Sequence, residues 1–211
     1  HLETNDDFSL IKDKVVSANV YIDSFSIATA LKNGADIVLA GRVSDPGLVL
    51  GPCIDKFNWL ENDYNKLAAG TVAGHIIECG AQCSGGNYSR WEEIDDLVDI
   101  GYPIIEMDEN GEFTVFKDNS KGGLINKLTV SEQLLYEMGD PKNYISPDVK
   151  VDFTSINLEE IGNNLVKISN VKGSKATDTF KVSICYLDGY KAEGSVTISG
   201  PKAKEKSKLA A

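Results

Sequence analysis

The sequence predicts an α/β fold, with a βαβ unit in a mixed sheet, followed by an antiparallel, β-hairpin-rich α+β subdomain. Three observations predict it. A β-branched run, "VVSANVY" (15–21), a helix-spaced "SFSIATALKNGAD" and an apolar "IVLA" (37–40) follow one another. That order suits a parallel pair with a right-handed crossover. "PIIEMDENGEFTVF" (103–116) turns at Asn110-Gly111, a strong hairpin signal. Beyond "DPKNYISPDV" only strand signals remain.

Each element has a local reason. In the first helix Phe25, Ile27, Ala28 and Leu31 recur near helical spacing, and Gly34 stands at its C-terminal end. "IVLA" reads as a fully buried strand. Asp45-Pro46 then reads as N-cap and first residue of a second helix through Val49. "TVSEQLLYEM" offers Thr129 and Glu132 as a capping box. "NLVKISNV" (164–171), "TFKVSICYL" (179–187) and "KAEGSVTISG" (191–200) read as strands, the last two joined at Asp188-Gly189. The lysine-rich end after Pro201 reads either as a solvated tail or as the first turns of a helix. The change of character places a division near residue 145, giving regions 1–145 and 146–211.

Composition narrows the function classes. The chain has 211 residues, 42% hydrophobic and 25% charged, with a formal net charge of −11. Such a balance suits a globular domain with a real core. It argues against nucleic acid or an anionic membrane as partner, since both need a basic face. No apolar run approaches the roughly 20 residues that span a bilayer, and the start lacks a signal-peptide pattern. Cys53, Cys79, Cys83 and Cys185 form no C-x-x-C pair, so reduced thiols in a cytoplasm are expected.

Two stretches carry candidate chemistry. In "GADIVLAGRVSDPGLVLGP" (34–52) the apolar run gives way to Gly41, Arg42, Ser44 and Asp45. In open α/β sheets ligands bind beyond the carboxyl ends of strands. Arg42, one of two arginines, could clamp a carboxylate or phosphate at two points, beside the free N–H groups of the following helix. The alternative is a structural turn in which Asp45 caps that helix and Arg42 pairs with it.

The second stretch, "NKLAAGTVAGHIIECGAQCSGGNY" (65–88), begins as a helix almost without charge. At about 100° per residue, Thr71, His75, Glu78 and Gln82 share one face, and the rest is small or apolar. A helix apolar nearly all round is buried, so its polar stripe needs partners. Gly70 and Gly74 flank the stripe and admit another backbone or a ligand. His75, the only histidine besides His1, is a candidate general acid or base, with Glu78 to orient it and Thr71 to position substrate. The alternative is a stripe satisfied internally. A metal site built on His75, Cys79 and Glu78 lacks a further histidine to complete it, and no cysteine has an evident activating pair; no metal and no cofactor are expected. "SGGNYSR" (84–90) is either a helix cap or a loop bringing Gly85, Gly86 and Arg90 to a ligand.

Taken together, "SANVYIDSFSIATALKNGADIVLAGRVSDPGLVLGP", "KLAAGTVAGHIIECGAQCSGG", "DIGYPIIEMDENGEF", "TVSEQLLYEMGDPKNYISPDVKVDF" and "DGYKAEGSVTISGP" resemble the AtuA-type acyclic terpene utilisation family, in order and spacing along nearly the whole chain. The resemblance implies a cytoplasmic role in catabolism of citronellol- and geraniol-type compounds, alongside acyl-CoA carboxylation enzymes. It carries no catalytic residue over and leaves the reaction class unassigned. It also implies a preceding segment and a helix continuing past "KLAA", and hence association with those segments or with a second copy. The expectation is a metabolic enzyme, or part of one, acting on a small branched organic acid or its CoA thioester. A non-catalytic assembly or ligand-binding module of the same pathway is the alternative.

Overall fold

The computed structural model of the chain describes residues 1–210. The fold is mixed α/β, with five helices and three sheets whose strands pair antiparallel wherever their register is defined. The chain divides into two compact units, Asn19–Ser183 and His1–Ala18 with the segment from Ile184 onward.

In the larger unit, α1 (Phe25–Lys32) and α2 (Gly47–Phe57) pack together, and α2 packs on α3 (Tyr64–Ile77). The hairpin forms as read: β2 (Ile104–Met107) pairs with β3 (Phe113–Phe116), and Gly111 takes φ +86° at the turn. After α4 (Lys127–Leu135) come β4 (Tyr144–Ile145), β5 (Val149–Asp152), β6 (Asn157–Gly162), β7 (Leu165–Ser169) and β8 (Lys172–Lys175). They build one sheet ordered β2-β3-β7-β6 and another ordered β4-β5-β8. The pairing of Val115 with Val166 carries the first sheet across residue 145, so the two compact units are not divided there.

Helix α3 is the centre. Every residue from Leu67 to Ile76 is buried, as expected of a helix without a charged face. It packs against α2, α4, β5 and β8. Val115, Val149, Val151, Val166 and Ile168 enclose it in one hydrophobic cluster. Gly173 lets β8 cross close to the first turn of α3, its N–H donating to Asn65 Oδ1 at 3.0 Å.

The smaller unit holds most of β1 (Val15–Val20) and β9 (Val182–Tyr186), which pair, and α5 (Ala203–Ala210). No described residue of this unit is buried.

Several expectations are corrected. Residues 37–40 form no strand; Ile37 is 88% and Leu39 98% exposed. All that remains of a βαβ unit is an isolated parallel bridge between Ile22 and Val43, because 37–40 has no neighbour to pair with. Helix α2 runs on past Val49, with Pro52 inside it. The capping box of α4 uses Asn126 and Thr129, one turn earlier than Thr129 and Glu132. Residues 191–200 form no strand, so no hairpin closes at Asp188-Gly189. The lysine-rich end is helical.

Candidate functional site

Between α1, α2 and residues 38–45 lies a hollow of about 450 Å³. Its position follows from two contacts. Ile22 N–H donates to the Arg42 carbonyl at 3.2 Å, and Ser44 N–H to the Ile22 carbonyl at 3.3 Å. These bonds hold the loop beside α1. Gly51 of α2 faces Ile27 of α1 so closely that an added Cβ would lie 2.7 Å from it, which brings the helices together. Ile27, Leu31, Leu39, Leu48 and Pro52 give the hollow apolar walls, and Gly41, Arg42, Ser44 and Asp45 line it too. A Cβ at Gly41 would meet nothing within 4 Å.

The charge in this hollow is partly balanced. Arg42 Nη1 contacts Asp45 Oδ1 at 3.1 Å, and the guanidinium lies 5.0 Å from the centre of the Tyr21 ring. This is the turn pairing of the structural alternative, yet a guanidinium has five N–H donors, and one contact leaves others free. The helix N-terminus offers less than expected. The N–H groups of Gly47, Leu48, Val49 and Leu50 donate to the carbonyls of Ser44, Asp45, Pro46 and Pro46 at 2.7–3.4 Å. Asp45 does not cap α2 with its side chain. An anion here would depend on Arg42.

The polar stripe of α3 is packed away from this hollow. Thr71 is 1% exposed, and its hydroxyl donates to the Leu67 carbonyl at 2.9 Å. His75 is 2% exposed, with Phe153 edge-on at 5.7 Å and Tyr144 at 5.8 Å between ring centres. Its Nδ1 lies 3.8 Å from Glu78 Oε1, while its Nε2 has no hydrogen-bond partner among the described residues. Burial lowers the His75 pKa, against the pull of the Gln133 and Leu134 carbonyls. Burial also raises the pKa of Glu78, with help from the charge of Asp45. Tyr144 is pushed up to about 12, chiefly by burial. Gln82 leaves the stripe, because α3 ends at Ile77 and a separate short turn covers Gly80–Gln82.

The glycines explain the arrangement. A Cβ on Gly74 would fall 2.5 Å from Pro46 Cα, and one on Gly70 2.6 Å from Leu50 Cδ1. Both therefore admit α2 and its leading turn. That approach brings Asp45 near enough to influence Glu78, yet none of Thr71, His75 and Glu78 lines the hollow. The loop and the helix are neighbours without a shared cavity. Gly85 and Gly86 face Ile94 and the Ala81 carbonyl. Arg90 contacts Glu93 at 3.0 Å and donates to Tyr88 Oη at 3.3 Å; none of these three lines the hollow either.

All four cysteines are free, and burial pushes Cys83 up to about 12, an inert thiol. No cluster of three or more His, Cys, Asp or Glu among the described residues could hold a metal ion. Sequence reasoning missed Asp148, a buried carboxylate that accepts from Ser24 N–H at 2.7 Å and Ser24 Oγ at 2.9 Å. The partners stand 124 residues apart, so no local pattern announces the pair. It also missed Gln133, whose Nε2 donates to the His75 carbonyl at 2.9 Å.

A family model described as "Acyclic terpene utilisation family protein AtuA" matches residues 1–211. No curated protein and no solved structure matches.

Proposed function

The chain belongs to the AtuA family of acyclic terpene utilisation proteins, and on that premise we propose that it binds a small branched acyclic acid, free or as a CoA thioester. The ligand occupies the hollow between α1 and α2. What supports this reading is the pairing of apolar walls from Ile27, Leu31, Leu48 and Pro52 with the Arg42 guanidinium in one hollow. A branched hydrocarbon fills the first, and the carboxylate of the acid, or the carbonyl of its thioester, takes the second. Ser44 adds a hydroxyl, and the open space at Gly41 leaves room for the ligand. No cofactor beyond the thioester enters, and the reduced thiols suit work in a cytoplasm.

Titration calorimetry with a short branched terpenoid acid, its CoA ester and the alcohol of the same skeleton tests this. The acid and ester bind more tightly than the alcohol, and Arg42→Ala weakens the acid about tenfold. That is the lower end of the value of a charge-assisted hydrogen bond, as suits an exposed guanidinium. Equal affinity for acid and alcohol, or an unchanged affinity in Arg42→Ala, overturns the reading.

One observation favours catalysis as well. The Nδ1 of His75 faces Glu78 Oε1 at 3.8 Å, a pair suited to moving a proton, but His75, Glu78 and Thr71 all lie outside the α1–α2 hollow. Movement of Tyr144 or Phe153 would have to expose the pair. Should His75→Ala lower turnover by about 10²-fold or more with acid binding unchanged, the chain is an enzyme. Acid binding without turnover in the parent protein assigns it instead to ligand binding or assembly in the same pathway.

A further inference from the structure

Residues 37–40 have the composition of a strand and no sheet to join. Ile37, Val38, Leu39 and Ala40 run on without turn or bend, and Ile37 and Leu39 stand almost wholly in solvent. Among the described residues, no N–H or C=O of residues 36–41 makes a backbone hydrogen bond. The far end of the segment is anchored, because the Arg42 carbonyl accepts from Ile22 N–H and Ser44 N–H donates to the Ile22 carbonyl. An exposed apolar run with unmade backbone bonds is a template for another strand.

The flanking charges select the occupant. When the segment pairs antiparallel with itself about Leu39, each residue meets the one equally far beyond that centre. Asp36 then stands opposite Arg42, and a two-fold contact makes that pair twice. Opposite charges facing each other across two strands are stabilising. Leu39 meets its own copy, and Ile37 meets Gly41, which adds no bulk. A register shifted by one residue sets Arg42 against Ala35 or Ile37 and loses both ion pairs. The two charges are available. Asp36 enters no ion pair among the described residues, and Arg42 meets Asp45 through Nη1, leaving donors for a second carboxylate. The net charge of −11 opposes association. At about 0.1 M salt, however, that repulsion is screened beyond about 10 Å, and charges in contact are screened less.

We propose that residues 36–42 form the contact of a two-fold homodimer, by antiparallel strand pairing centred on Leu39. The contact does not depend on a ligand in the α1–α2 hollow.

Sedimentation equilibrium of the full chain without ligand, over a concentration series at about 0.1 M salt, tests the assignment. The parent chain shows a monomer–dimer equilibrium. Leu39→Lys and Asp36→Arg each weaken it by about tenfold or more, since either change acts twice in a two-fold contact. Both positions are exposed, so the variants keep their fold. Arg42→Asp weakens the dimer likewise, and an equal mixture of Asp36→Arg and Arg42→Asp restores it, because every arginine then faces an aspartate. With Cys185→Ser to remove the exposed thiol, Leu39→Cys gives a disulfide-linked dimer in oxidised glutathione. Directly opposed Cα atoms lie about 4.5–5.5 Å apart, within disulfide reach, whereas Ile37→Cys is out of register with its own copy and does not cross-link. A parent chain that stays monomeric throughout the series, or a dimer indifferent to Leu39→Lys, overturns the proposal. So does a mixture of the two charge variants that fails to associate, or equal cross-linking at positions 37 and 39.

Discussion

At the scale of residues, Gly74 and Gly41 are opposites. Both lack a side chain beside the loop at residues 41–46, but Gly74 is filled by the backbone of Pro46 while Gly41 faces open space. Gly74→Ala therefore forces α2 away from α3 and destabilises by about 1–3 kcal/mol or more, as overpacking does. Gly41→Ala stays within about 0.5 kcal/mol. Denaturant unfolding of the two variants checks the contrast; equal losses would mean that Gly74 does not set the spacing of the helices. The sequence marked Gly70 and Gly74 as points of close approach, and that much was legible. What approaches was not, because a missing side chain records a vacancy and leaves its filler unnamed. The Arg42–Asp45 pair could be read, since three residues separate its members on one turn. The setting of His75 could not, since Tyr144 and Phe153 reach its ring from distant parts of the chain.

At the scale of elements, the entry to α1 hangs on the connection between β4 and β5. Ser24 makes no side-chain cap to its own helix; instead its N–H and hydroxyl both reach Asp148. Burial pushes the Asp148 carboxyl up to about 6 from 3.8, against the lowering effect of those two bonds. The fold thus favours the protonated acid. Its contribution is fully present below pH 3.8, and is lost as pH rises through about 6, a change of about 3 kcal/mol. Asp148→Asn, which can still accept from the Ser24 N–H, removes this dependence. The variant is at least as stable as the parent at pH 7, and its stability is flatter between pH 4 and 6. Unfolding curves across that range decide it; an unaltered slope in Asp148→Asn would assign the titration to another group.

Elements defined by their own residues were readable in the same way. The helix spacing of α1, the Asn110-Gly111 turn and the charge-free α3 all have local causes. Residues 37–40 have the composition of a buried strand, but a strand exists only where a neighbour pairs with it, and composition cannot supply one. The cap of α4 was misplaced because Asn126 and Thr129 stand at the same three-residue spacing as Thr129 and Glu132. Asn126 prevails, with Leu128 and Thr129 N–H groups both donating to it, and Glu132 is left for Ser89.

At the scale of the whole molecule, stability is unevenly held. Every buried hydrophobic residue described lies between Ile27 and Val171, inside the unit Asn19–Ser183. The division near residue 145 followed a change in local pattern, whereas antiparallel sheets join strands far apart in the chain, as β3 and β7 do. The smaller unit has backbone pairing and a helix but no buried side chain among its described residues. Segments with few buried apolar contacts and solvent-exposed backbone bonds open locally at little cost. Hydrogen exchange should therefore separate two classes of amide. Those of α3, β5 and β7 exchange at the rate of global unfolding, and those of α5 and the outer ends of β1 and β9 exchange much faster. Brief proteolysis cuts first within residues 1–14 and 187–202 and leaves a resistant core corresponding to the larger unit. A ligand held between α1 and α2 slows exchange in those helices without protecting α5. Amides of α5 as slow as those of α3 would contradict this distribution, and would mean that the smaller unit draws stability from contacts other than its own.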